Sequence, residues 1–381
     1  MRDVVIVGAG PVGSALALAL ARAGRDVVAR DARARGSTLR GDRTLALSHG
    51  SRLVLERLRV WEELASVRDA VTPITRIDVS QAGGFGAATL LAADAGVPAL
   101  GYVVSYVALQ AALDAALERE RVDVRFGAQA ERVETTPERA RVPLPGAEPV
   151  DARLAVVADG TGTAVRGVDR VRHDYGQVAV IGKLAVDRPH DGLAYERFGP
   201  GGPIALLPEA DHYAFVWTLP PARAQSMLAL SDEAFVEALA TSFGSRLRGF
   251  RRAWGRRSFP LVLEFATPVV GERYAAVGNA SQTLHPVAGQ GFNVGLRDAH
   301  ELARIVAATP AAEIGSGAML ARYRAARRAD RWAGIAFTHG LVHLFGGDWP
   351  VVSWPRGLGL ALLDTLPPLR RTFTRAMLFG A

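Results

Sequence analysis

Val4-Val5-Ile6-Val7-Gly8-Ala9-Gly10-Pro11-Val12-Gly13 runs from a short apolar stretch directly into the spacing G-x-G-x-x-G. The apolar run predicts a buried strand, and the alanine- and leucine-rich residues after Pro11 predict a helix over 11–23. A second apolar run at 27–29 completes a βαβ opening. In that setting each glycine has a task. Gly8 permits the tight turn, Gly10 lets main chain approach a pyrophosphate, and Gly13 lets helix pack on strand. Asp31 follows Gly8 by 31 − 8 = 23 positions, where a carboxylate can accept hydrogen bonds from ribose hydroxyls. FAD and NAD both satisfy this motif.

A second glycine-rich segment begins 278 − 8 = 270 residues later, Val277-Gly278-Asn279-Ala280-Ser281-Gln282-Thr283-Leu284-His285-Pro286-Val287-Ala288-Gly289-Gln290-Gly291-Phe292-Asn293. A strand-like run, 274–277, enters it; beyond it Phe292, Leu296, Ala299, Leu302, Ala303 and Val306 recur at helical spacing. The segment is read as a loop that brings main-chain N–H groups to a helix start, where negative charge is stabilised. Two such loops from opposite ends of the chain imply one large cofactor. No second strand–glycine–helix fingerprint offers a nicotinamide cofactor a separate home, which disfavours an NAD-dependent dehydrogenase.

The chain has 381 residues, 49% hydrophobic and 22% charged, a composition that supports a large core in two or three lobes. It has no cysteine, which excludes disulfides, thiolate zinc sites and a thiol nucleophile. The first residues read as a buried strand rather than a signal peptide, and no apolar run approaches the roughly 18 residues a bilayer span needs. The expected location is cytoplasmic, with peripheral contact at the inner membrane as a further expectation. Net charge is +7, yet of the 45 basic residues only Lys183 is lysine and the arginines are scattered, so no nucleic-acid partner is expected. The eight histidines show no ligand spacing, and no metal is expected.

Helical spacing recurs over 53–64 and 109–117, and strand patterns over 72–91 with a turn at Gly83-Gly84. Short strands broken by prolines and glycines over 122–157 suggest a small antiparallel excursion. Strand-like runs at 178–186, 193–198, 213–219 and 259–265, interrupted by a helix over 232–243, predict an inserted sheet-rich lobe. Asp159-Gly160 closes another apolar strand, and Arg43 lies in the run 41–48.

In this order and spacing, the fingerprint, the Asp159-Gly160 element and the late loop resemble the FAD-dependent aromatic hydroxylases of para-hydroxybenzoate hydroxylase fold. Tyr175-Gly176-Gln177, His190, Ala194-Tyr195-Glu196-Arg197-Phe198, Gly202-Pro203, Leu206-Leu207-Pro208, Val216-Trp217 and the wording of 285–293 resemble the ubiquinone-biosynthesis hydroxylases within them, closest to the 2-polyprenyl-6-methoxyphenol hydroxylase branch. Asn279, where most flavin hydroxylases carry aspartate, fits that branch. Asp31 stands for a more usual glutamate, and Ser105 and Val107 stand where relatives show glutamate and a basic residue.

The resemblance implies an α/β fold, a Rossmann-like FAD-binding domain with an interleaved sheet-rich substrate domain and C-terminal helices. The expected division is 1–71, 101–170 and 266–335 for FAD, 72–100 and 171–265 for substrate, and 336–381 as a helical region. It implies that Gly8, Gly10 and Gly13, with Pro11 and Val12 between them, hold the FAD pyrophosphate and Asp31 the adenosine ribose. Arg43 and Gln110 would contact the cofactor near its ribityl and pyrophosphate parts, and Asp159 would brace the pyrophosphate loop. Gly278, Asn279, Pro286, Gly289, Gln290, Gly291, Phe292 and Asn293 would lie along the flavin. The implied reaction is hydroxylation of a polyprenylated methoxyphenol on the route to ubiquinone, through a flavin C4a-hydroperoxide fed by NAD(P)H and O2. A same-fold hydroxylase of another ring or position, and a non-catalytic flavoprotein subunit of a quinone-biosynthesis complex, are the alternatives.

On the substrate side Pro286 and Gly289 would shape the flavin face, and His190, Tyr195, Arg197 and Tyr213 are candidates for binding or deprotonating the phenol. The apolar tail, with Trp332, Phe337, Leu341, Leu344, Phe345, Trp349, Trp354, Leu358, Leu362 and Leu366, then Arg370, Arg371 and Arg375, would line a polyprenyl tunnel or a membrane-facing entrance, or pack on the FAD domain or a partner subunit.

Overall fold

The computed structural model describes residues 1–34, 43–82, 85–127, 129–130, 132–144, 147–160, 164–199, 202–284, 289–345 and 350–380. Among these, one sheet is built around the strand Arg2–Val7, which pairs in parallel with Val27–Asp31 on one side and Ala147–Val157 on the other. Asp123–Phe126 extends it beyond Val27–Asp31, and Tyr274–Ala276 lies parallel to Ala147–Val157. Parallel strands covered on both faces need apolar side chains on both, which is why Val4–Val7 and 154–157 are unbroken apolar runs.

Helix Pro11–Arg22 crosses this sheet between helices Tyr106–Arg119 and Gln290–Ala307. It is apolar almost all round, with Ala15, Leu16, Ala17, Leu18 and Leu20 buried, because it has neighbours on nearly every side. The antiparallel excursion is present as Arg132–Thr135, Ala140–Leu144 and Ala147–Val157.

A second, mainly antiparallel sheet runs in the order Gln282–Thr283, Phe250–Thr267, Asp169–Val186, His212–Leu219, Ile204–Glu209, Leu193–Phe198, Arg76–Gln81, Ala87–Leu91 among the described residues. Alternation assigns its faces. Tyr213, Phe215, Trp217 and Leu219 join Phe235, Leu239 and Phe243 in a core under helices Pro221–Leu228 and Asp232–Phe243. The latter helix starts at Ser231, whose side chain accepts a hydrogen bond from Ala234 N, and carries Asp232 and Glu233 in its first turn. Val216 points to the other face. A small sheet of Thr44–Ser48, Gly101–Ser105 and Val71–Ile74 lies between the two.

One expectation needs correction. The helical spacing of 53–64 belongs to two helices, His49–Arg57 and Trp61–Ser66, because Arg59 takes φ +48 and redirects the chain. Helices Gly317–Phe345, Pro350–Thr365 and Pro367–Phe379 close the chain. The first is tied to Gln290–Ala307 by buried charges: Arg327 donates to Asp298 (2.8 Å), and Arg297 donates to Asp330 (2.8 Å).

Candidate active site

The two glycine loops meet in one cleft of about 630 Å³. From the first loop come Gly8, Gly10, Pro11 and Val12; from the second, Asn279, Gly289, Gly291 and Phe292; Asp31, Arg43, Gln110 and Asp159 complete the set expected there. Two helices therefore aim their N-termini into the same space. Gly10 begins Pro11–Arg22 and Gly289 begins Gln290–Ala307, and neither start has a side-chain cap, so their first N–H groups face the cleft. Gly289 holds φ +60, the left-handed turn that swings the loop onto the helix.

The three fingerprint glycines differ in what surrounds them. A Cβ on Gly13 would sit 1.9 Å from the Gly8 carbonyl oxygen, and one on Gly8 would sit 2.5 Å from Asp159 Cα, whereas one on Gly10 would meet no protein atom within 4 Å. Gly13 is thus a packing residue beneath the loop, and Gly10 borders open cleft. Gly278 packs against the Val12 side chain, and the Gly278 N–H donates to buried Asp298.

Asp31 accepts hydrogen bonds from Ala9 N (2.6 Å) and Arg33 N (2.8 Å), so its carboxylate fastens the loop at the cleft edge. The Gln110 amide donates to Ala9 O (3.1 Å) and Asp114 (2.8 Å), leaving its buried Oε1 without a partner. The Arg43 guanidinium stacks over Tyr106 with 4.2 Å to the ring centroid. Arg30 was not anticipated. It lines the cleft almost wholly buried, two of its guanidinium nitrogens have no partner, and burial, then the neighbouring Arg125, lowers its pKa to about 10. Open main chain at Gly10, two uncapped helix starts and an unsatisfied buried cation fit a long anionic cofactor.

Comparison with known proteins agrees. The profile of the FAD-binding domain family matches residues 1–338. Ubiquinone hydroxylase UbiL of Rhodospirillum rubrum is 34% identical over 98% of this chain and 88% of its own length, and the 3-demethoxyubiquinol 3-hydroxylase of Escherichia coli is 30% identical over 97% and 96%. The chain belongs to the FAD-binding family of ubiquinone hydroxylases. Its cofactor is FAD. The fold is that of a p-nitrophenol 4-monooxygenase from Pseudomonas putida (TM-score 0.79, 16% identity, 100% of this chain and 98% of that one). A Klebsiella pneumoniae protein solved in complex with FAD is alike to the same degree (TM-score 0.78, 18% identity, 100% and 99%).

Behind the cleft of this FAD-binding hydroxylase lies a second cavity of about 280 Å³ with nearly all-apolar walls. The two share Ala46, Leu207, Val216 and Gly289. The second sheet supplies Ile77, Val79 and Ala205; the last helices close the far side with Leu360, Leu363, Phe373 and Met377, joined by Phe337. Gln290 and Asn293, expected along the cofactor, border this cavity instead of the cleft. Asn293 is occupied as a clamp: its amide donates to Ala46 O (3.0 Å) and Gly289 O (2.8 Å), and its Oδ1 accepts from Ser48 N (2.8 Å) and Ser51 Oγ (2.7 Å).

The expected substrate-side residues separate. Gly289 and Tyr195 border the apolar cavity, while His190 and Tyr213 border neither space. Tyr213 alternates onto the helix-covered face, where burial pushes its hydroxyl well above the ordinary range. His190 accepts from Gly192 N at Nδ1 (3.1 Å) and places Nε2 2.8 Å from Ala210 O, stapling a turn. Arg197 donates to Phe243 O and Ser80 Oγ, away from the cavity. Pro286 and His285 lie outside the described residues.

Glu196, quoted in the sequence motif but given no role there, is the carboxylate that lines this cavity among the described residues. Burial drives its pKa up to about 7, with nothing charged or hydrogen-bonding among the described residues to offset it. Near the cleft a contrasting carboxylate, Glu209, is also buried, but His212, Lys183 and Thr44 overcome the desolvation and hold it down at about 2. His212 Nε2 stands 3.3 Å from Glu209 as an ionic contact rather than an aligned hydrogen bond. The tail leucines also sort by helix phase: Leu360 and Leu363 face inward, whereas the expected Leu358, Leu362 and Leu366 are exposed, as is Trp332. No helix among the described residues is long and apolar enough to cross a membrane.

Proposed function

We propose that the protein hydroxylates the aromatic ring of a polyprenylated methoxyphenol in ubiquinone biosynthesis, using FAD, NAD(P)H and O2. The observation that carries this reading is the apolar cavity sharing a wall with the cofactor cleft. A prenylated phenol gains from burying hydrocarbon there, at about 25 cal/mol per Å², and its ring then rests at the shared wall. Bound FAD supplies the activation of O2, and the protein supplies position, electrostatics and dryness.

Gly8, Gly10, Pro11 and Val12 would cradle the pyrophosphate, Asp31 the ribose, and Gln110, Arg43 and Asp159 the middle of the cofactor. Gly289, Gly291 and Phe292, at a helix N-terminus, would stabilise negative charge at the flavin ring on reduction. Asn279 would face the ribityl chain, and Pro286 would join the flavin face. In this division of labour 1–71, 101–170 and 266–335 hold FAD, and 72–100 with 171–265 hold the substrate under the helices of 336–381. The outward Leu358, Leu362, Leu366 and Leu369 beside exposed Arg371 and Arg375 support peripheral contact with an anionic membrane surface.

The test is coupled turnover. Purified protein should be yellow, oxidise NAD(P)H slowly alone, and speed up with a prenylated 6-methoxyphenol while releasing the hydroxylated ring. FAD retention without any stimulation by such phenols would refute the activity.

A further inference from the structure

A phenol's ring carbons react with an electrophilic oxygen far faster once the hydroxyl is ionised, and a phenol packed among apolar walls is poorly placed to give its proton to water. A side chain of the cavity that accepts it would speed the reaction. The titratable side chains lining that cavity, among the described residues, are Tyr195 and Glu196. Tyr195 is an unsuitable acceptor: it packs into the aromatic cluster with Tyr213 and Phe243, and burial raises its own hydroxyl further.

Glu196 stands differently. It lies on Leu193–Phe198 between Ala194 and Phe198, which line the same cavity. Its strand neighbours are Val79 on one side and Ala205 on the other, and the helices opposite present Leu363, Phe373, Thr374 and Met377. The nearby charges turn away: Arg197 is engaged by Phe243 O and Ser80, and Arg246 pairs with Asp78. Among the described residues no cation therefore competes for the carboxylate, and a proton is the charge it can take up. Leu207, on the same strand as Ala205, and Val216, paired with Ala205 on the next strand, are at the wall shared with the cofactor cleft, so a ring resting at that wall would lie between this carboxylate and the cofactor.

We propose that Glu196 is the catalytic base that takes the phenolic proton of the substrate. The phenol O–H bond breaks, an Oε–H bond forms on Glu196, and the electron pair stays on the phenolate oxygen; no electron leaves or enters the pair. A carboxyl poised near neutrality, as burial makes this one, accepts a proton at working pH and passes it on after turnover. This rests on the hydroxylase reading above.

The experiment compares wild type, Glu196→Gln and Glu196→Asp, each reconstituted with FAD, on a 6-methoxyphenol bearing a short 2-prenyl chain. Wild-type hydroxylation should rise with pH through a limb near neutrality. Glu196→Gln should lower coupled hydroxylation by about 10²–10⁴-fold, move the limb toward the range of a free phenol at about 10, and divert reducing equivalents to hydrogen peroxide. FAD content should not change, and Glu196→Asp should recover part of the rate. Coupled hydroxylation by wild type should slow in D2O, as proton transfer to Glu196 in the transition state requires, and this isotope effect should shrink in Glu196→Gln. An unchanged limb with unchanged coupling in Glu196→Gln overturns the proposal while leaving the hydroxylase reading intact. Absence of hydroxylation by wild type removes both. Should Glu196→Gln fail to hold FAD, the wild-type pH profile decides: coupled hydroxylation with no limb near neutrality refutes the role.

Discussion

The cofactor cleft is walled to a large extent by main chain: Gly8, Gly10, Gly160, Gly289 and Gly291 line it, and two helix starts offer it their N–H groups. The cavity behind it is walled by side chains drawn from strands near residues 46, 77, 90, 196 and 206 and from helices near 360 and 375, with scarcely a polar atom among them. A site made of main chain is specified by where side chains are missing, and it stays fixed as long as a few glycines do. A site made of side chains from many segments is specified by packing, and each wall can change separately.

That contrast can be broken at Gly13, where the largest effect is expected. Gly13→Val places a Cβ within 1.9 Å of a main-chain oxygen and should abolish folding altogether, a loss beyond about 4 kcal/mol visible as absence of a cooperative thermal transition. Gly10→Val should instead fold normally, because its side chain enters open cleft, while FAD binding weakens by about 100-fold or more, ~2.7 kcal/mol. Equal stability losses in the two variants would erase the distinction between packing and cradle.

On the other side, Leu363→Ala should retain FAD and raise the KM for a long-chain phenol by roughly tenfold, consistent with ~1.5 kcal/mol of lost apolar contact, with little change for an unprenylated phenol. Equal effects on both phenols would mean the cavity does not hold the chain. The smallest effect concerns the link between the regions, where Glu209 on the second sheet meets Thr44 at the cleft. Its folded pKa of about 2 lies below the ordinary 4.5, so its stabilisation is present above 4.5 and is lost as pH falls toward 2. Thermal stability should drop by about 1 kcal/mol between pH 5 and 3.5, and Lys183→Met should flatten that part of the curve.

The same contrast explains how much could be read from the chain alone. Gly8, Gly10, Gly13, Asp31 and the late loop were legible because each answers a local demand of backbone geometry at fixed spacing. Glu196 was not, although it adjoins Tyr195. Leu193–Phe198 is covered on one face by helices and on the other by the site, so its residues show no polar–apolar alternation to say which way each points. The tail was legible only in part, for a related reason. Leu358, Leu360, Leu362 and Leu363 crowd one helix, and only packing shows that Leu360 and Leu363 face inward. The break at Arg59 escaped because the apolar spacing continues across two helices that differ in direction. Arg30 escaped because a lone arginine at a strand end carries no signal of what will leave it unpaired.

Ala46, Leu207, Val216 and Gly289 belong to both spaces, and this constrains how the protein can diverge. A change at any of the four is felt twice, once by the flavin and once by the ring, so a mutation that suits a new phenol there is liable to spoil the coenzyme seat. Residues 360–378 carry no such double duty. Lineages that take longer, shorter or differently branched tails should therefore differ first in the closing helices, with the partition inherited almost untouched.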